Sequence, residues 1–276
     1  MRRAAFAILV GLCLLTAALA LRFAGLASPD WERMNPSLLA GTCSLFAAVL
    51  LHAVLARSAG AAALFFPLAF GISLAAEWAG TRWGFPFGAR YAYHPGIGPR
   101  LLGSVPLFIP LSWAVIAYVP LVLLRERRPG ATAGLPRRTL RAAAAAALLV
   151  ATDLYLDPLA VSVGAWAWET PGPWFGVPLA NYSGWALVGL AIYGVFFALE
   201  GRLPAPPPRR LSPAWDRLLI GTSLFLAVTA HVALTRRVPG GWRVLLLTVP
   251  LGVPPLVAWV AGELRGAGRP PGGTGF

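Results

Sequence analysis

The sequence predicts an all-α integral membrane protein, a polytopic bundle of about eight transmembrane helices with two aromatic, Gly/Pro-broken motif segments. Three observations predict it. Hydrophobic residues make up 58% of the 276-residue chain and mean hydropathy is +0.69. Charged residues make up 12%, where soluble domains carry roughly 25%. The apolar residues also gather in runs close to the ~20 residues that cross a bilayer, and short segments between those runs hold most of the arginines.

Eight runs qualify, near 4–21, 37–56, 61–79, 104–124, 142–160, 183–200, 215–234 and 244–262. The first follows Arg2 and Arg3 and ends in Ala18-Leu19-Ala20, which mimics a signal peptide. With so many spans behind it, an uncleaved first helix is the expectation. The fifth run is the least lipid-like at its C-terminal end, where Asp157-Pro158 is expected to stop the helix, because proline disfavours α geometry in the residue before it. The proline-rich stretch at 204–210 reads as a linker. No internal repeat is visible, and residues 1–276 are expected to form a single integral membrane domain.

Eight spans place both termini on one side. With the N-terminus cytoplasmic, 15 of the 23 arginines fall inside and 8 outside, as the positive-inside rule favours. That distribution, rather than nucleic-acid binding, accounts for the net charge of +13. Lysine is absent, which fits the Ala-, Gly- and Pro-rich composition of a GC-rich genome. The expected location is the cell inner membrane. Segments 80–103 and 161–182 then emerge on the same side. Cys13 and Cys43 lie in apolar runs with no ligand or disulfide spacing and are expected to be small buried hydrophobes. His52 and His231, alone in apolar spans, are expected to be structural, and three scattered histidines make no metal constellation.

Three of the ten acidic residues sit where a membrane protein tolerates them poorly. Glu77 closes the third run; Asp153 and Asp157 lie in the fifth. A carboxylate at a helix centre costs on the order of +3 kcal/mol even on lenient scales, so such a residue is a functional candidate by default. Glu77 lies at the mouth of segment 80–103 and Asp157 at the mouth of segment 161–182, so the three acids are expected to meet in one leaflet. Asp153 and Asp157 are spaced i, i+4 on one helical face. Like charges this close in a dry site cannot both ionise readily, so one is expected to keep a proton and act as an acid. A structural pairing with Arg82 or Arg90 is the plain alternative. An Asp-x-x-x-Asp pair also suits Mg²⁺-diphosphate binding, but that use needs a second acidic motif, which the chain lacks.

The acids border two unusual segments, EWAGTRWGFPFGARYAYHPGIGPRLLGSVPLFIPLSW at 77–113 and DLYLDPLAVSVGAWAWETPGPWFGVPLANYSGW at 153–185. Both are too apolar for solvated loops and too broken for helices. Irregular backbone at membrane depth survives only where it is buried or lines a cavity. An interfacial aromatic belt explains the Trp and Tyr content, but not the carboxylates beside them.

The segments resemble those of the membrane carotenoid-biosynthesis family that includes the CruF-type carotenoid 1,2-hydratases. In the first, the resemblance rests on Glu77, Gly80, Gly84, Pro86-Phe87-Gly88, Tyr91, Tyr93, Gly103-Ser104-Val105-Pro106-Leu107 and Pro110-Leu111-Ser112-Trp113. In the second it rests on Asp153, Asp157-Pro158, Trp166, Trp168, Phe175-Gly176-Val177-Pro178-Leu179, Asn181 and Gly184-Trp185. These motifs cover about a quarter of the chain. The resemblance implies cofactor-free addition of water to the terminal C1=C2 bond of an acyclic carotenoid such as lycopene, γ-carotene or a bacterioruberin precursor. It leaves open a partnership with other carotenoid-pathway membrane enzymes.

The residues suit that chemistry on their own terms. Protonating a trisubstituted alkene needs an acid, π density for the tertiary cation and a controlled route for water. Asp153 or Asp157 is the expected acid and Glu77 the partner base; the sequence does not choose between the aspartates. Tyr91, Tyr93, Phe87, Trp166 and Trp168 are expected to face the cation, with Asn181 and His94 as candidates to hold water. The same protonation without water gives a cyclase, and buried carboxylates also occur in transporters and proton relays.

Overall fold

The computed structural model describes residues 2–24, 30–124, 134–203 and 212–267. The proline-rich stretch at 204–210 and the arginine-rich loop up to residue 133 lie outside them. Eight α-helices carry the fold: α1 (Arg2–Ala24), α2 (Trp31–Ala56), α3 (Ala59–Trp83), α4 (Phe108–Leu123), α5 (Leu135–Ser162), α6 (Leu179–Glu200), α7 (Pro213–Arg237) and α8 (Leu245–Ala267). Seven helical segments among the described residues are long and apolar enough to cross a membrane. The protein is a multi-pass, all-α membrane protein.

The fourth predicted span is the exception. It begins at Phe108 rather than 104, because Val105–Pro106 forms a short strand, β3, with β2 (Arg100–Leu101). At 16 residues α4 is about 24 Å long at 1.5 Å per residue. Most of its side chains are buried, including Trp113 and Tyr118. It is a core helix, walled from lipid by its neighbours.

Local chemistry sets the helix ends. Asp30 caps α2 by accepting from the Arg33 N–H at 3.2 Å, and Ser58 caps α3 by accepting from the Ala61 N–H at 3.0 Å. Past Glu77, α3 continues to Trp83 and stops at Gly84, which takes the left-handed conformation (φ +76°) that terminates many helices. The predicted stop at Asp157-Pro158 does not occur: α5 runs on to Ser162. Pro158 cannot donate to the carbonyl of Leu154 four residues earlier. The indole N–H of Trp174 bonds that carbonyl at 3.2 Å, so the orphaned acceptor is satisfied and the helix continues.

The helices alternate in direction, so α3 and α5 end where α4 and α6 begin. There the two broken segments pair, with β1 (Tyr91–Tyr93) antiparallel to β4 (Trp166–Trp168) in the register Tyr91↔Trp168 and Tyr93↔Trp166. The expectation that the two segments emerge together is met in this pairing. At the opposite end Arg57, just before α3, bonds Glu200, the last residue of α6. His52 and Asp216 are buried near that end. Cys13 is buried as expected; Cys43 is exposed.

Candidate active site

Glu77 lies two turns before the end of α3, buried, with Oε1 and Oε2 both engaged. The Trp113 indole of α4 donates to Oε1 at 2.7 Å. The hydroxyls of Tyr93, at 2.5 Å, and of Tyr91 donate to Oε2. Residues two apart on a strand face the same way, so β1 delivers both phenols to one carboxylate while Ala92 points outward and is exposed. Burial, then the Glu77 charge, holds the Tyr91 and Tyr93 phenols well above their ordinary range, with Asp157 adding to the effect at Tyr93. Both phenols therefore remain donors at neutral pH.

Glycine makes this approach possible. A Cβ on Gly80, one turn beyond Glu77, would lie 2.7 Å from Phe87 and 2.9 Å from the Tyr91 hydroxyl. A Cβ on Gly184 of α6 would lie 2.6 Å from the other side of Phe87. Phe87 is thus wedged between α3 and α6 where each presents a glycine. It meets Tyr91 edge-on at 5.9 Å, and Tyr91 in turn meets Tyr93 at 5.6 Å and Trp168 at 4.7 Å.

Across from Glu77, Asp153 and Asp157 project from one face of α5, both buried. Asn181, in the first turn of α6, donates its side-chain amide to Asp153 Oδ2 at 2.6 Å and to Asp157 Oδ2 at 2.5 Å. The Trp166 indole lies beside Asp157. Asp153 Oδ1 is buried with no hydrogen-bond partner, as is the Trp168 indole N–H. Neither arginine weighed as a structural partner reaches these acids. Arg90 bonds Glu169 at 3.0 Å, and Arg82 lies over the Trp78 ring at 4.8 Å.

A cavity of about 40 Å³ separates the two groups of acids. Glu77 and Asp157 both line it, together with Tyr91, Tyr93, Phe87, Trp166, Trp168 and Asn181. Eight of the ten residues singled out in the sequence therefore surround one space. Asp153 stands behind Asp157 and does not line it. His94 lies outside it: exposed after β1, it accepts from the Gly96 N–H at 3.1 Å, and its ring is 6.1 Å from Trp31. Asn181, expected to hold water, has its amide on the aspartates. The cavity also includes Trp113 and Trp185, stacked at 3.8 Å and 24°, and Ser112. Sequence reasoning placed Trp113 and Trp185 within the motifs but gave neither a role. The signal was their pairing with small neighbours, Ser112 and Gly184. Among the described residues no group of three His, Cys, Asp or Glu side chains is arranged to hold a metal ion.

A model of the carotenoid biosynthesis protein family matches residues 39–255, which span both segments and the cavity between them. The chain belongs to this family. Bisanhydrobacterioruberin hydratase from Haloarcula japonica, a curated relative, is 37% identical over 137 residues, 48% of this chain and 43% of that protein. The match spans less than half the length of the relative. No solved structure matches the chain. Within the family frame, the carboxylates, the two tyrosines and the aromatic wall all lie inside the matched region.

Proposed function

We propose that this family member is a carotenoid 1,2-hydratase of the cell inner membrane, a cofactor-free hydro-lyase acting on the terminal C1=C2 bond of an acyclic end group. One observation carries the reading: Glu77 and Asp157 line a single small cavity together with seven aromatic side chains. The name of the Haloarcula relative supports the reaction class over the matched residues.

In this reading the two sides of the cavity divide the work. A carboxylate has about four lone-pair sites, and Glu77 already accepts three hydrogen bonds from neutral donors. That pattern suits an ionised base with one site left for water. The aspartates share one amide and leave an oxygen unpartnered, which suits a dyad that shares a proton. Asp157, the member that borders the cavity, delivers it. The π electrons of the alkene form a C2–H bond with that proton, and the tertiary cation is left at C1. Tyr91, Tyr93, Phe87, Trp166 and Trp168 face it, each contributing about 2 kcal/mol when desolvated. A water lone pair then forms the C1–O bond, and Glu77 takes the released proton. Return of that proton to Asp157 restores the site, so the net change is alkene plus water to tertiary alcohol.

The test is expression of the full chain in cells that accumulate lycopene or γ-carotene, with pigments analysed by mass. The expected product is heavier than its precursor by one water. A folded protein that yields no such product from any acyclic end group overturns the proposal. A cyclised product of unchanged mass assigns the protonation step to a cyclase, and ion or solute flux in liposomes without pigment change assigns the acids to transport.

A further inference from the structure

A second, larger cavity of about 300 Å³ adjoins the first. It lies at the same end of the bundle, mainly between α2, α5 and α7, with Ala20 of α1 and Phe108 of α4 also on its wall. Leu156 and Trp166 line both cavities, so a single residue's thickness separates them. Leu159 and Ala160 of α5 and Leu226 and Ala230 of α7 form facing walls. Thr229, also on the wall, has its hydroxyl bonded to the Phe225 carbonyl at 2.8 Å. Among the described residues, Arg237, at the end of α7, is the one charged residue on the wall; the rest of the lining, Thr229 aside, suits a hydrocarbon.

The acid cavity alone has room for only a few water molecules. A substrate with a reactive end at Asp157 and a long apolar remainder needs contiguous apolar space for that remainder. Ligand sites of this volume, lined mostly by apolar side chains with a few convergent polar groups, are the ordinary form of a small-molecule pocket. We propose that the larger cavity binds the polyene chain of an acyclic carotenoid, and that Trp166 and Leu156 form the partition past which the terminal isoprene unit reaches Asp157. This rests on the hydratase reading for what happens at Asp157, and on the shared wall for where the chain lies. A lipid acyl chain also fits hydrocarbon walls. The polyene is favoured because the cavity leads to carboxyl groups, with which a saturated chain has no chemistry.

The experiment uses the full chain in lipid nanodiscs with lycopene as the probe. Binding is read from the induced visible circular dichroism of the bound polyene and from tryptophan quenching. Ala160→Phe and Ala230→Phe fill the cavity from opposite walls, and neither residue lines the acid site. Each is expected to weaken lycopene binding about tenfold or more, whereas Asp157→Asn is expected to keep lycopene binding while its turnover falls about 10²- to 10⁴-fold. Unchanged binding in both filled variants overturns the proposal. Binding that both filled variants abolish, without hydrated product from the unaltered chain, overturns the hydratase reading and leaves the cavity assignment standing. Should the filled variants fail to fold, Thr229→Cys in a Cys43→Ala background gives a second readout. Lycopene is expected to slow maleimide labelling at position 229 about tenfold. Labelling slowed by added lipid and not by lycopene marks an acyl-chain groove and overturns the assignment.

Discussion

At one end of the bundle, Asp216 and Glu200 lie against His52 and Arg57. At the other, Glu77, Asp153 and Asp157 lie against two tyrosines, tryptophan and asparagine. His52 bridges Asp216 at 3.0 Å and the Tyr118 hydroxyl at 2.9 Å, and all three side chains are buried. Among the described residues, none of the three acids at the site end forms an ion pair. The contrast separates two uses of a buried carboxylate. Paired with a basic side chain it closes a contact between helices: α2 with α7 through His52, and the start of α3 with the end of α6 through Arg57. Such pairs roughly balance their desolvation, and removing one partner is what costs. Surrounded by neutral donors and set beside a cavity, a carboxylate keeps the ability to give or take a proton.

The largest test of that contrast is Asp157→Asn. The amide keeps the shape but has no acidic proton, and turnover is expected to fall about 10²- to 10⁴-fold. Pigment conversion per folded protein measures it, alongside a thermal transition expected to stay in place. Full activity in this variant removes Asp157 from the acid role and moves the assignment to Asp153.

Asp216→Ala probes the opposite end. It leaves His52 Nε2 buried without its partner, and the expected loss is about 3 kcal/mol of stability. Denaturant unfolding in detergent measures this. Turnover per folded molecule is expected to stay level. A collapse in turnover with stability intact would erase the distinction between the two ends.

Gly80→Ala is expected to act on both properties at once. The added methyl meets Phe87 at 2.7 Å and Tyr91 at 2.9 Å, so one ring must shift. Overpacking of this kind costs about 1–3 kcal/mol, and displacing Tyr91 removes a donor from Glu77. Gly189→Ala is the control. Its methyl meets Ala146 and Leu149 at 3.1 Å in the α5–α6 contact, away from the cavity. It is expected to lower the unfolding midpoint without altering turnover per folded molecule.

The membrane class, the number of helices and the convergence of Glu77 and Asp157 were legible because hydropathy, arginine distribution and misplaced charge are one-dimensional signals. The missed features depend on partners distant in the chain. Pro158 reads as a helix stop until Trp174, sixteen residues on, is seen to take the Leu154 carbonyl. Three-residue strands such as β1 and β4 have no periodicity to detect alone; their pairing across 75 positions sets the spacing of the aromatics. His94 sits beside a motif tyrosine in sequence, but it follows the end of β1 and turns outward. Asp216 drew no attention because it stands near the edge of an apolar run, and only its burial beside His52 marks it out.

Trp185→Phe asks how far the site's influence extends beyond groups that exchange protons. Trp185 stacks on Trp113 at 3.8 Å, and Trp113 donates to Glu77. Phenylalanine keeps an aromatic face but covers less of the Trp113 ring, while the Trp113 hydrogen bond survives. An aromatic pair is worth about 0.5–1.5 kcal/mol beyond its buried area, so turnover is expected to fall by about two- to tenfold. Trp113→Phe removes the donor as well and is expected to fall further, and the gap between the two variants measures the hydrogen bond. If Trp185→Phe matches the loss in Asp157→Asn, Trp185 is more than a support for Trp113. The cation would then lie against the stacked indoles rather than against Trp166 and Trp168 on the facing wall.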